Sequence, residues 1–266
     1  MINMNLLGMF SLFKLELKRQ LTYPFHFFIW ATLWPIFIII NYFLWQSVYA
    51  FSGQTVIRGM TFESLIAYFI AAMVIGFATE ANFDSWIATR IRSGKLLTQI
   101  SLPMSFMHYL FSYWISKKVI NVIIYSIPVF ALAYLFVGFN IFKTNALLLL
   151  FSIVVAGLLT FSFTMLFAMT AFWFKDIRGV THLRQGILWF MSGAVLPLNF
   201  FPEWFQEISM YLPFQYMRYI PAKVMTGEIN SFSAFMFAQI FWAVAMFLLA
   251  AYIWKYAYRQ FTGAGA

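Results

Sequence analysis

The stretch that decides the fold is FWFKDIRGVTHLRQGILWFMSGAVLPLNFFPEWFQEISMYLPFQYMRYIP, residues 172–221. It begins with a charged turn, continues as an apolar run, and ends in an aromatic segment that contains several prolines. Gly193 and Pro197 interrupt the apolar run. At membrane depth, such breaks are tolerated only where the backbone is buried in protein or faces water. The order of these features therefore predicts a re-entrant outer hairpin over residues 194–225. The alternative is an external loop with an interfacial helix at Glu203–Tyr211.

The composition of the whole chain places this stretch in a membrane protein. The chain has 266 residues, of which 63% are hydrophobic and 9% charged, whereas soluble domains carry about 25% charged residues. Several apolar runs reach the roughly 20 residues that a membrane-spanning helix needs. We predict an all-α membrane protein, a single transmembrane domain over residues 1–266 with six transmembrane helices. The predicted spans are Phe25–Tyr49, Phe62–Phe83, Ser112–Val137, Ala146–Phe174, one that starts near Leu183 and loses continuity around Pro197, and Phe232–Tyr256.

The distribution of basic residues predicts the orientation. The net charge is +9, but the basic residues lie in the joints between apolar runs rather than on one soluble face, so nucleic acid is not a predicted partner. Of the 17 Lys and Arg residues, the outer joints of the six-span arrangement hold only Arg58, Lys143, Arg218 and Lys223. Because cytoplasmic loops carry the excess of positive charge, both termini are predicted to be cytoplasmic.

Residues 1–22 are predicted to form an interfacial helix. Leu6, Phe10 and Phe13 recur at helical spacing, while Lys14 and Lys18 gather on another side. Such a helix lies on the bilayer with its cations toward anionic headgroups. The alternative is a plain cytoplasmic start of the first span, and no signal peptide pattern is present.

The longest inner joint, residues 85–109, contains a basic cluster followed by an apolar spacing. Arg90, Arg92 and Lys95 surround Gly94, and helical spacing continues up to Pro103. Because proline disfavours a helical residue before it, a short amphipathic helix that ends at Pro103 is predicted.

Several kinds of chemistry lack their sequence signatures. The residues around Gly94-Lys95 do not complete a phosphate-binding loop, since Thr89 stands at the first glycine position and Leu96 at the hydroxyl position. The histidines have no metal-ligand spacing, and cysteine is absent. Ionisable residues inside the spans are expected to be nearly missing, with Glu80 and Asp84 at the cytoplasmic interface. If the protein moves a solute, the energy is therefore expected to come from another chain.

The chain resembles permease subunits of the type-2 ABC transporter (ABC-2) family over essentially its whole length. The resemblance rests on the order of the interfacial helix, the spans and a set of short motifs. These motifs are Arg92-Ser93-Gly94-Lys95-Leu96 with Pro103, Phe174-Lys175-Asp176-Ile177-Arg178-Gly179, and Ser192-Gly193-x-x-x-Pro197-Leu198-x-Phe200-Phe201-Pro202-x-Trp204 with Leu212-Pro213-Phe214 and Pro221.

The resemblance implies a transport subunit rather than an enzyme. It implies a separate ABC ATPase that binds ATP and magnesium, so this chain itself would carry no cofactor and no metal. It also implies a second permease, which is either the same chain or a related one; the branch with paired permease genes, which this chain resembles most, suggests a related chain. The expected location is a bacterial-type cytoplasmic membrane with its lipids. The expected substrate is a lipophilic or cationic compound or a lipid-linked molecule, exported by the complex.

Three groups of site residues follow from the resemblance. A coupling helix that docks into the ATPase would comprise Arg90, Arg92, Gly94, Lys95, Leu97, Ile100 and Pro103. An inner gate and turn would comprise Lys14, Lys18, Lys175, Asp176 and Arg178. An outer re-entrant gate would comprise Gly193, Pro197, Phe201, Pro202, Trp204, Pro213, Phe214 and Pro221.

Two other functions stay open from sequence. An ion-coupled secondary transporter would need charges near the membrane centre. A membrane-embedded enzyme that modifies lipids would need polar residues that converge at the interface, and Glu80, Asp84 and His182 are the candidates.

Overall fold

The computed structural model describes residues 10–11, 13–15, 18–19, 22, 24–100, 105–137, 145–174 and 176–263. Most of the predicted interfacial helix at residues 1–22 lies outside these residues, as do Pro103 and Lys175. The regular elements are almost all helical. They are α1 Pro24–Ser52, β1 Val56–Ile57, β2 Met60–Thr61, α2 Phe62–Thr79, α3 Asp84–Arg92, α4 Leu96–Ile100, α5 Phe106–Val137, α6 Ala146–Met169, α7 Arg178–Met191, α8 Glu203–Met210, α9 Tyr219–Met225 and α10 Ala234–Gly263.

The predicted all-α membrane class is confirmed. Among the described residues, five helical stretches are long and apolar enough to cross a membrane. They are Ala31–Ser52, Phe62–Arg92, Phe106–Phe136, Ala146–Phe172 and Ala234–Ala257, the second being interrupted between α2 and α3. The sixth crossing, the interfacial helix and the re-entrant hairpin remain predictions.

Two helix ends differ from the approximate span ends that the sequence predicts. The second span was expected to run to about Phe83 and α2 ends at Thr79, and the third was expected from about Ser112 and α5 begins at Phe106. The early start of α5 fits its surroundings, since Phe106 is buried against Trp254 with ring centroids 5.0 Å apart.

The helix ends follow local sequence signals. Thr61 caps α2 by accepting a hydrogen bond from the Ser64 backbone N–H at 3.2 Å, and Asn145 caps α6 by accepting one from Leu147 N–H at 3.0 Å. Between α1 and α2, a joint predicted as a loop contains the antiparallel pair β1–β2. Its two-residue turn, Arg58-Gly59, has positive φ at both positions, as a type I′ hairpin turn requires.

The core lies along α2 and α6. Helix α6 packs against α10, α2 packs against α5, and α1 also packs against α5. The short helix α9 is buried between α2 and α6. A second hydrophobic cluster surrounds α3 and the start of α5. The segment that follows α7 is therefore part of the packed bundle rather than an appendage to it.

Candidate functional site

The first candidate site is the docking element, residues 84–100, in which a tight turn joins α3 to α4. Ser93 N–H donates to Thr89 O and Gly94 N–H donates to Ile91 O, both at 3.1 Å. Gly94 has φ +69°, a left-handed conformation in which glycine commonly ends helices. Its role here is to turn the chain between the two helices.

Helix α4 begins with one buried and one exposed leucine. Leu96 is fully buried in the second hydrophobic cluster, whereas the next side chain, Leu97, is 61% exposed. Arg92 and Lys95 are also exposed. The predicted docking residue Leu97 thus lies on the surface, as do the two cations that precede it in sequence. Ile100 ends α4.

Arg90, also predicted to dock, lies in α3 and contacts an aromatic side chain of the same helix. Its guanidinium lies 5.0 Å from the ring centroid of Trp86, which in turn stacks on Tyr113 of α5 at 4.9 Å. Such a cation–π contact favours a packing role, in which Arg90 attaches α3 to α5.

The second candidate site is the polar junction, which we define as Glu80, Asn82, Asp84, Arg184 and Arg218. At its centre, Arg184 Nε donates to Asp84 Oδ2 at 2.8 Å, and the two side chains are 0% and 1% exposed. A buried ion pair persists only when its remaining donors also find partners. Arg184 meets this need through Asn82 Oδ1 at 3.1 Å and a further hydrogen bond to Thr164 on α6.

The outer part of the junction joins Glu80 to Arg218. Arg218 Nη2 lies 3.7 Å from Glu80 Oε2, with side chains 16% and 23% exposed. Asn82 Nδ2 donates to the other Glu80 oxygen at 3.3 Å. Gly76 makes room for this guanidinium, since a Cβ there would lie 2.7 Å from Arg218 Nη2.

These positions add two contacts that the sequence analysis did not indicate. Asp84 was expected at the cytoplasmic interface, and both Asp84 and Arg184 are buried within the protein, where they pair. Arg218 was assigned to an outer joint, and its guanidinium contacts Glu80 at the end of α2, which was expected at the cytoplasmic interface. The sequence analysis interpreted each charged residue from its neighbours in sequence alone.

The third candidate site is the broken segment, residues 192–225. Helix α7 ends at Met191, and Gly193 follows with φ +78°. Tyr68 Oη donates to Gly193 O at 2.6 Å, and the Tyr219 hydroxyl hydrogen-bonds to the Asn199 side chain. The first turn after α7 is thus fixed from α2 and from α9.

The other predicted residues of the broken segment occupy distinct places. Pro197, Pro202 and Pro213 each stand immediately before a helical turn. Phe201 stacks on Phe205 at 4.7 Å, Phe214 packs edge-on against Phe163, and Pro221 is buried in α9, whereas Trp204 is exposed. The structure brings these residues into one continuous segment without gathering them around a single point.

The inner turn is a local feature. Arg178 donates to Asp176 through its backbone N–H at 2.9 Å and through Nε at 2.8 Å. The Arg178 side-chain hydrogen bond, followed by the backbone one, lowers the pKa of Asp176 to about 2. Lys14 lies over the Phe10 ring at 4.5 Å, and Lys18 is exposed. The described residues thus show a stable charged turn before α7.

A comparison with protein families bears on this arrangement. The family model described as "ABC-2 family transporter protein" matches residues 33–265. The chain belongs to the ABC-2 transporter family. No curated protein sequence matches the chain.

Family membership gives the general role of the chain. An ABC-2 permease is a transport subunit of a membrane rather than an enzyme, and it associates with an ABC ATPase subunit. The predicted family is therefore confirmed.

The polar junction is the part of this permease that sequence reasoning missed. Asp84 and Arg184 carry opposite charges and were both predicted at cytoplasmic span ends, which is a signal that could have paired them. For Arg218 the local sequence contains no comparable signal.

Proposed function

We propose that this chain is the membrane-spanning subunit of an ATP-driven exporter, and that the docking element is where the ATPase binds. The observation that carries the proposal is the pair Leu96–Leu97. Leu96 is buried against the body of the permease, and Leu97 is exposed in the same short element as the exposed cations Arg92 and Lys95. A central apolar anchor with a polar rim is the arrangement that concentrates binding energy at protein interfaces.

The docking element is also suited to transmit force. Asp84, the first residue of α3, is joined to α7 by the buried pair with Arg184. A push on Leu97 therefore acts on an element that is packed at α4 and ion-paired at the start of α3. Closure of the ATPase subunits, which bind ATP and magnesium, would shift two permeases between alternative packings.

The remaining features complete the proposal. The second permease is a related chain, and both termini lie in the cytoplasm of a bacterial-type cell. The broken segment closes the outer end of a pathway between the two permeases. A lipophilic or cationic compound or a lipid-linked molecule is the proposed substrate class, because the chain is 22% aromatic and rings attract both apolar surfaces and cations.

Docking is tested by co-purification of the full chain with co-expressed ABC ATPases. Replacing a central anchor costs at least about 2 kcal/mol, so Leu97→Asp is expected to weaken ATPase binding by about 30-fold or more. The matched control is Val56→Asp, which also places a carboxylate on an exposed apolar position but in the β1–β2 hairpin. Equal ATPase binding by the Leu97→Asp variant and the parent would reject the docking element as the contact.

A further inference from the structure

The short break between α2 and α3 is held in a defined conformation by hydrogen bonds. Residues 80–83 are not helical, yet two backbone carbonyls of this break accept hydrogen bonds from other helices. Trp114 Nε1 donates to Glu80 O at 3.4 Å, and Thr164 Oγ1 donates to Ala81 O at 3.2 Å. Because buried backbone groups must be paired, these contacts stabilise the interruption where it stands.

Asn82 lies in this break and connects its two ion pairs. Its Nδ2 donates to Glu80 Oε1 at 3.3 Å and its Oδ1 accepts from Arg184 Nη2 at 3.1 Å. The two contacts fix the amide orientation, since the reverse orientation would set donor against donor. A neutral amide is suited to this position because one end contacts a carboxylate and the other a guanidinium.

The groups that Asn82 joins belong to different parts of the permease. Arg184 is paired with Asp84 at the start of the docking element, and Glu80 faces Arg218 in the broken segment. The first pair is short and fully buried, whereas the second is 3.7 Å long and partly exposed. Loss of one partner of a buried ion pair strongly destabilises the folded protein, whereas a partly exposed ion pair contributes little to stability and separates readily.

We propose that Asn82 is a positioning residue for transport. It holds Glu80 against Arg218, so that movement of the docking element is passed to the broken segment through the weaker ion pair. This inference rests on the proposed function for the origin of the movement. The link between Asn82 and Arg218 itself requires no ATPase and can be tested without one.

The chain contains no cysteine, so a single introduced thiol can report on the broken segment. Tyr211, which is 80% exposed at the end of α8, is the reporter position. In the full chain carrying Tyr211→Cys, the rate of modification by a maleimide is measured without ATPase. Loss of a partly exposed ion pair predicts a two- to fivefold change in this rate for Arg218→Gln and for Asn82→Ala.

The decisive measurement is the combination of the two variants. If Asn82 acts through Glu80 and Arg218, adding Asn82→Ala to Arg218→Gln changes the modification rate no further. The matched control is Asn41→Ala, since the Asn41 amide only bonds the Phe37 carbonyl of its own helix. A rate unchanged by Asn82→Ala, or independent effects of the two variants, would overturn the inference.

A second arm adds the ATPase and ATP in proteoliposomes. The parent is expected to change its modification rate on ATP addition, and Asn82→Ala is expected to lose this change while still binding the ATPase. An equal ATP response in both would overturn the role in transport. Absence of ATPase binding by the parent would instead refute the proposed function, and the first arm would still decide the link between Asn82 and Arg218.

Discussion

The buried pair Asp84–Arg184 allows a sharp test of what holds the docking element in place. Its atoms are 2.8 Å apart, and both side chains are almost completely inaccessible. We consider Arg184→Met, which keeps an apolar stem of similar course but removes the guanidinium. The variant leaves a carboxylate without its cation in the interior of the bundle.

The expected loss of stability depends on which neighbours of Arg184 are left without a hydrogen-bond or ion-pair partner. Thr164 still donates to the Ala81 carbonyl, and Asn82 is exposed and can bond to water, so neither is left without a partner. Only the Asp84 carboxylate is left uncompensated, and breaking a buried pair in this way costs about 3–5 kcal/mol. Adding Asp84→Asn removes that charge, so the double variant is expected to recover about 2 kcal/mol relative to Arg184→Met.

The assay is reversible unfolding in mixed micelles, followed by the fluorescence of the chain's 10 tryptophans. The free energies of the parent, Arg184→Met, Asp84→Asn and the double variant form a mutant cycle. A coupling energy of about 2 kcal/mol or more is expected for a pair in direct contact. Additive effects within about 0.5 kcal/mol would show that the two residues do not stabilise each other, and the assignment of the junction would fail.

Two further predictions concern the ends of α7. Gly193→Ala is expected to destabilise the fold by about 1–3 kcal/mol, because φ is +78° and a Cβ would lie 2.6 Å from Tyr68 Oη. Gly186→Ala in the middle of α7 is the control for the unfolding assay, since its Cβ meets nothing within 4 Å; equal effects would refute the steric argument. The pKa of Asp176 is lowered to about 2, so the contribution of its contacts with Arg178 is present above about pH 4 and lost as the pH falls toward the native pKa. The difference in melting temperature between the parent and Asp176→Asn should shrink over that interval, and a difference independent of pH would contradict it.

The sequence predicted the helices better than the contacts between them. The first span was expected at Phe25–Tyr49 and the helix is Pro24–Ser52; the fourth was expected to begin at Ala146 and does so. Apolar length and a local cap are sufficient signals for such boundaries. Helix α5 begins six residues before the expected start of the third span, and its first residue, Phe106, packs against Trp254.

The candidate site was predictable only where it is local. The turn at Gly94 and the pair Asp176–Arg178 are encoded by adjacent residues. The pair Asp84–Arg184 joins positions 100 residues apart; the charge tally counted Arg184 only as a member of an inner joint, and Asp84 was expected separately at the cytoplasmic interface. A contact between residues this far apart cannot be predicted from the sequence alone unless it is known on which side of the membrane each residue lies.

Polar side chains of the core donate hydrogen bonds to backbone carbonyls of the broken segment, and this explains how the segment can be interrupted. Helix α7 has 14 residues, about 21 Å at 1.5 Å per residue, which is short of the roughly 30 Å hydrocarbon core. In the six-span arrangement that we propose, the broken segment must complete this crossing, and its non-helical carbonyls then need donors from elsewhere. Tyr68 supplies one to Gly193, and Gln239 of α10 supplies one to Tyr216. An interrupted crossing can therefore persist inside an apolar bundle because neighbouring helices supply the hydrogen bonds that a continuous helix would have made.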